Sequence, residues 1–217
     1  MFHATQTLRF SKCPAKTVLG LWLLFCGLPN AKTQPARTYI IQSEQSRMEV
    51  QVRKGGLFKF LGHDHLVAVR GITGHIDLAE KTITPAALHI KIAADSLLVI
   101  QEKNDKDRVK IQRDMREKVL ETAQYPQIEF ESTAVHIVTG PDSTLQYRLR
   151  IEGDLTLHGI TRPIVIASSL TLLNGSVRAV GRFLLHQKEF GIKAASAAVG
   201  TVKVKDKLEL SFDIVAQ

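Results

Sequence analysis

Tyr147-Arg-Leu-Arg-Ile-Glu-Gly-Asp-Leu-Thr-Leu-His158 decides the fold class. Tyr147, Leu149, Ile151, Leu155 and Leu157 fall on one side of an extended chain. Arg148, Arg150, Glu152, Asp154, Thr156 and His158 fall on the other. Side chains alternate along a strand, so this period of two marks a strand with one apolar and one wet face. A wet face belongs to antiparallel sheets rather than to parallel sheets buried on both sides.

The same period recurs outward from this stretch. Met48, Val50 and Val52 alternate with Glu49, Gln51 and Arg53, and His65–Arg70 is a further strand ahead of Gly71. Leu88, Ile90 and Ile92 alternate with His89 and Lys91, and Ile128 and Phe130 with Gln127, Glu129 and Glu131. Val135 and Ile137 repeat the pattern, as do Val202 and Val204 among lysines and Leu208, Leu210, Phe212 and Ile214 near the end. Turn residues separate them at Lys54-Gly-Gly56, Thr139-Gly-Pro-Asp142, His158 to Pro163, Asn174-Gly175 and Lys205-Asp206. Gly71-Ile-Thr-Gly74 and Gly191 read as turn or bulge positions. Short strands between regular turn signals predict an all-β sandwich or barrel.

One segment breaks the period. Asn104 to Thr122 is dense in charge, and Ile111, Met115 and Val119 recur at i, i+4 and i+8. Asn104 or Asp105 suits a helix cap, and Tyr125-Pro126 lies beyond the end. The spacing predicts one amphipathic helix inserted between strands, lying across a barrel mouth or on its outer wall. The competing reading is a solvated charged connection with a single helical turn.

The N-terminus has the pattern of an export signal. Arg9, Lys12 and Lys16 precede an apolar run from Val18 to Leu28, followed by Pro29. Eleven residues span about 16 Å as a helix, short of a bilayer core of ~30 Å. A basic start, a short apolar stretch and a polar exit describe a secretory signal. The expected organisation is a signal peptide over 1–31, a short spacer over 32–37 and a single domain over 38–217, delivered to the periplasm with no membrane span in the mature form.

The 217 residues carry 29 Lys+Arg against 21 Asp+Glu, and the formal charge of +8 falls to +5 once the three cations of the signal are removed. That modest excess suits anionic head groups but is no concentrated nucleic-acid patch. An aromatic share of 6% also argues against a stacking platform for single strands, so no nucleic-acid partner is expected. Both cysteines, Cys13 and Cys26, lie inside the signal. The mature chain therefore has no thiol for nucleophilic catalysis, metal ligation or a disulfide.

Candidate chemistry is sparse. In Gly62-His63-Asp64-His65 the two histidines point the same way on a strand and offer two metal ligands, where a zinc site needs three or four. His75, His89, His136, His158 and His186 are third-ligand candidates, but no spacing selects one. The bland reading is a polar turn that hydrogen-bonds backbone or a ligand head group. Arg113-Asp114-Met115-Arg116 reads as a solvated ion-pair face or as an anion clamp. No nucleophile elbow, Walker loop or dinucleotide fingerprint is present, and no residue is assigned a catalytic or metal role.

Several strings together resemble the YceI-like proteins. They are Gly62-His-Asp-His65 with Thr73-Gly-His-Ile-Asp-Leu78, Arg113-Asp-Met115 leading to Tyr125-Pro-Gln-Ile-Glu-Phe-Glu-Ser132, and Phe190-Gly191 followed by Val202 to Leu210. The most specific is Gly153-Asp-Leu-Thr-Leu-His-Gly-Ile-Thr-Arg-Pro163. The chain departs from the family at Leu185 to Gly191, where an Asn-Arg pair before Asp-Phe-Gly is common.

The resemblance implies an exported, antiparallel, lipocalin-like β-barrel without catalytic activity or cofactor, whose apolar interior holds a polyisoprenoid, an isoprenoid quinone or a similar amphiphilic lipid. On this reading the lining comprises Val67, Val69, Ile90, Ile92, Ile128, Phe130, Leu149, Ile151, Leu210 and Phe212. His63, His65 and Arg113 would meet a polar head group at the mouth. A homodimer is compatible with it. Two other functions stay open: a metal-binding protein or metal-dependent enzyme built on His63 and His65, and a stress-related partner-binding module with a filled barrel.

Overall fold

The computed structural model describes residues 36–55, 64–80, 83–100, 104–193, 196–197 and 202–217. The export signal expected over 1–31 and most of the spacer expected over 32–37 lie outside them.

Twelve antiparallel strands form one sheet among the described residues. They are β1 (Ala36–Ile40), β2 (Arg47–Gly55), β3 (His65–Val69), β4 (Thr73–Ala79), β5 (Ala86–Ala93), β6 (Leu98–Val99), β7 (Gln127–Thr139), β8 (Gln146–Leu157), β9 (Ile160–Leu173), β10 (Ser176–His186), β11 (Ser196–Ala197) and β12 (Val202–Ala216). Their spatial order is β1-β4-β5-β7-β8-β9-β10-β12-β2-β3-β6, with β11 beside β12. The sheet curls into a half-barrel. At one end Ile41 bridges Ala216 and its amide donates to Gly74 O at 3.0 Å, linking β12 back to β4. The inward rows make one apolar core, in which Phe190, Ile72 and Val177 are the largest fully buried side chains. The alternation predicts an all-β, antiparallel sandwich or barrel, and the barrel-like form that the resemblance implies is the one observed.

The Tyr147–His158 stretch becomes β8, with Leu149, Ile151, Gly153, Leu155 and Leu157 buried in alternation. Its hairpin to β9 is only two residues long. His158 at φ 53° and Gly159 at φ 71° both adopt the left-handed region that a two-residue turn needs to match strand twist. The turn expected from His158 to Pro163 is therefore shorter than read, and β9 begins at Ile160. Pro163 is tolerated because it faces Asp154 of β8 on a stretch that β10 does not reach, β10 pairing with β9 only from Ala167 onward. β1 likewise begins within the stretch read as spacer, since Ala36 and Arg37 pair with Ala79 and Leu78. Gly74, read as a turn position, lies inside β4.

The charged interruption is helical. α1 spans Asp105–Asp114 and continues as one π-helical turn over Met115–Val119, closed by the Leu120 amide on Met115 O at 2.8 Å. The Asn104 carboxamide caps it, accepting from the Lys106 amide at 2.9 Å. Two contacts hold the helix on β6. The Gln112 amide donates to Leu97 O and accepts from the Val99 amide, both at 2.8 Å, so a side chain completes the exposed edge of the sheet. No helix among the described residues is long and apolar enough to cross a membrane.

Candidate functional site

The half-barrel encloses a cavity of about 820 Å³ lined almost wholly by apolar side chains. Strand register builds its walls. On one side Val67, Val50, Leu210 and Phe183 stand in a single row across β3, β2, β12 and β10. Val69, Met48, Phe212 and Gly181 make the next row. On the other side Ile90, Phe130 and Leu155 align across β5, β7 and β8, with Ile92 beside Ile128.

Small inward residues keep the space open. A Cβ on Gly153 would stand 2.5 Å from the Phe130 ring, and one on Gly181 would stand 2.5 Å from the Phe212 ring. Each phenyl ring thus lies against backbone where a larger residue would push it toward the lumen. Ala179 and Ser168 add little bulk of their own to the wall.

Nine of the ten residues expected as lining stand on the cavity wall: Val67, Val69, Ile90, Ile92, Ile128, Phe130, Ile151, Leu210 and Phe212. Leu149 does not. It is buried in the core without reaching the cavity, because alternation tells which face is inward but not how deep the open space extends. His65 reaches the wall, and His63 lies outside the described residues. Arg113 is a correction. It lies on the helix face turned away from the lumen, against Leu98 and Ile100. The helix instead presents Asp107, Lys110, Ile111, Asp114, Met115 and Val119 to the cavity. The Ile111/Met115/Val119 stripe pointed to that face. Carrying it back by four residues to Asp107, and across to Lys110 and Asp114, finds the polar members.

The polar groups at the cavity are therefore His65, Asp107, Lys110 and Asp114, with Ser168 and Gln187 on the strand side. Lys118, 2.7 Å from Asp114, holds that carboxyl below its ordinary range. The Gln187 amide donates to Lys205 O at 3.0 Å, and the Ser168 hydroxyl to Val180 O at 3.2 Å.

His158 sits at the β8–β9 turn with its Nε2 2.8 Å from Glu121 Oε2 and its ring 4.1 Å from that of Tyr125. Tyr125 also packs under Gly159, where a Cβ would stand 2.7 Å from its ring. These contacts moor the chain beyond the helix to the hairpin. Among the described residues no group of three or more His, Cys, Asp or Glu is arranged to hold a metal ion. His75 and His89 face each other with ring centroids 5.5 Å apart, one on β4 and the other on β5.

A curled antiparallel sheet around a deep apolar lumen, flanked by one amphipathic helix, defines a ligand-sized barrel. The model of the YceI-like domain matches residues 39–216, and the chain belongs to that family. Curated relatives include a UPF0312 protein of Pseudomonas savastanoi pv. phaseolicola, 36% identical over 100 residues that cover 43% of this chain and 47% of the relative. The chain thus spans about half the length of the curated relatives it matches. Among solved structures, BcnA of Burkholderia cenocepacia superposes with a TM-score of 0.60 at 15% identity, over 82% of this chain and 99% of that one. A polyisoprenoid binding domain from Saccharophagus degradans gives 0.59 at 11% identity, over 82% and 97%. The YceI protein of Campylobacter jejuni gives 0.54 at 12% identity, over 70% and 84%. At these identities the likeness is one of fold.

Proposed function

We propose that the protein binds one amphiphilic lipid with a long isoprenoid tail in the lumen, as an exported periplasmic barrel that performs no chemistry on it. The observation that carries this reading is the apolar cavity of about 820 Å³, inside the range of ligand sites and lined by inward strand residues and one face of the helix. The name of the Saccharophagus degradans domain, a polyisoprenoid binder of the same fold, supports it. A prenyl tail gains about 0.8 kcal/mol for each buried CH2-sized unit, so chain length supplies affinity without dedicated polar contacts. His65, Asp107, Lys110 and Asp114 are the polar groups on the wall, beside which a hydrogen-bonding head such as a quinone or an alcohol would lie. The basic start and short apolar run of residues 1–31 support export.

Native mass spectrometry of gently purified protein, with solvent extraction of the same sample, tests the proposal. The expected result is a discrete added mass that extracts as an isoprenoid. Protein at its bare polypeptide mass, with no extractable lipid and no uptake of an added isoprenoid quinone, would overturn it.

A further inference from the structure

The helix sorts its charges by face. Toward the lumen it presents Asp107 and Asp114 with Lys110. Away from the lumen it presents Arg108, Arg113 and Arg116 with Glu117, around a groove whose other wall is β6. Three exposed aliphatic side chains stand together in that groove. Val109 is 66% exposed, Ile100 44% and Leu98 39%. Val99 lines both the groove and the lumen, so one buried residue of the edge strand separates them.

We infer that this face, the outer side of the helix with β6, docks the protein on an anionic phospholipid surface beside the lumen. The inference rests on the lipid-binding reading for its purpose but not for its physics. Exposed aliphatic residues ringed by arginines fit a headgroup boundary: the apolar tips enter the acyl edge and the guanidinium groups stay at the phosphates. The arginines are placed to do so. Arg108 pairs with Asp105 at 2.9 Å and Arg116 donates to Asp95 O at 2.5 Å, each leaving further N–H donors for phosphate, and Arg113 is exposed. The Gln112 clamp holds the helix against β6, so the apolar and basic residues form one preformed surface. The outer groove thus carries three arginines against the single carboxylate of Glu117, while Asp107 and Asp114 stand on the lumen side, away from an anionic surface.

The test places an indole on the face. Full-length Val109→Trp protein is mixed with vesicles of brominated phosphatidylcholine, with and without phosphatidylglycerol, and the signal of Trp22 in the parent chain is subtracted. The expected result is quenching that requires phosphatidylglycerol and fades as salt screens it. Arg108→Ala and Arg113→Ala each weaken it about 5-fold, and together about 25-fold. Absence of quenching, equal quenching on pure phosphatidylcholine, or insensitivity to both arginine changes overturns the inference. So does vesicle binding that leaves the new indole unquenched, because the contact then lies elsewhere. Cargo is read separately on the same samples. Protein that carries lipid without docking defeats this inference alone, and protein that docks but never carries lipid defeats the proposed function alone.

Discussion

Ala179→Leu tests whether the ligand occupies the lumen rather than an outer face. Ala179 lies on the cavity wall, on β10 between Leu170 of β9 and Ile214 of β12. Leucine adds three carbons that project into space a bound tail would fill. Each displaced CH2-sized unit forfeits about 0.8 kcal/mol, so three forfeit about 2.4 kcal/mol and weaken binding about 50-fold. The ligand-free protein should respond in the opposite sense, since the added carbons bury apolar surface and leave its thermal midpoint equal or higher. Ala167→Leu is the matched control. Ala167 is exposed on β9 beside two buried inward residues, Ile166 and Ser168, so the same carbons enter water and affinity stays as it was. Titration of a long-chain isoprenoid quinone by calorimetry, with thermal unfolding of the same three proteins, measures both quantities. Undiminished affinity in Ala179→Leu would refute the assignment of the lumen as the site. Lost affinity with a lowered midpoint would show overpacking instead, and the argument from displaced volume would fail.

Three further outcomes are expected. Gly159→Ala should cost about 1–3 kcal/mol in a urea titration, because the position sits at φ 71° and the new Cβ meets the Tyr125 ring at 2.7 Å; a change within error would mean the turn relaxes freely. Gln112→Ala strips both hydrogen bonds from the β6 edge and should cost about 1–3 kcal/mol, with faster hydrogen exchange at the Val99 amide; unchanged exchange would refute the clamp. Arg178 is bidentate on Asp213 at 2.8 and 2.6 Å and holds that carboxyl below its ordinary value. The folded state then binds fewer protons than the unfolded one across that interval, so this stabilisation is present at neutral pH and is lost as pH falls from about 5 through the folded value. Arg178→Ala should therefore narrow its stability gap to the parent on acidification, and a gap independent of pH would contradict the pairing.

Strand and helix positions were legible where one side chain class repeats. β8 was readable because five apolar residues alternate with six polar ones, and the helix because Ile111, Met115 and Val119 recur every fourth residue. β9 was hidden by Pro163, which reads as a breaker until the neighbour on that flank is known to stop at Ala167. β10 was hidden for the reason that makes the lumen. Its inward positions include Ala179 and Gly181, too small to show an apolar period, and their smallness leaves room for a ligand. Alternation marks the two faces of each strand but not the depth at which Leu149 drops out of the wall, and it does not reach the polar set. Arg113 draws attention as a cation, but on a helix of 3.6 residues per turn it stands opposite the Ile111 stripe, and position on the turn outranks residue type.

The size of the lumen bears on what the fold is for. A packing defect costs roughly 24 cal/mol per Å³, so sealed emptiness of about 820 Å³ would cost on the order of 20 kcal/mol, more than the ~5–15 kcal/mol by which a domain is stable. Such a space is therefore no sealed flaw in an otherwise filled barrel, and it is partly open to the outside. Water is a poor occupant, for an ordered water needs two to four polar partners and the wall offers few beyond the mouth. The features that hold the space open act locally and in different places. Gly153 and Gly181 take the two phenyl rings against backbone, Gln112 fixes the helix at the edge strand, and His158 with Tyr125 fixes the chain beyond it. Neither glycine has room for a side chain, and Ala179 places a small one on the wall. Their combination with a helix whose apolar stripe faces the same space is what a barrel shaped around a slender apolar occupant requires.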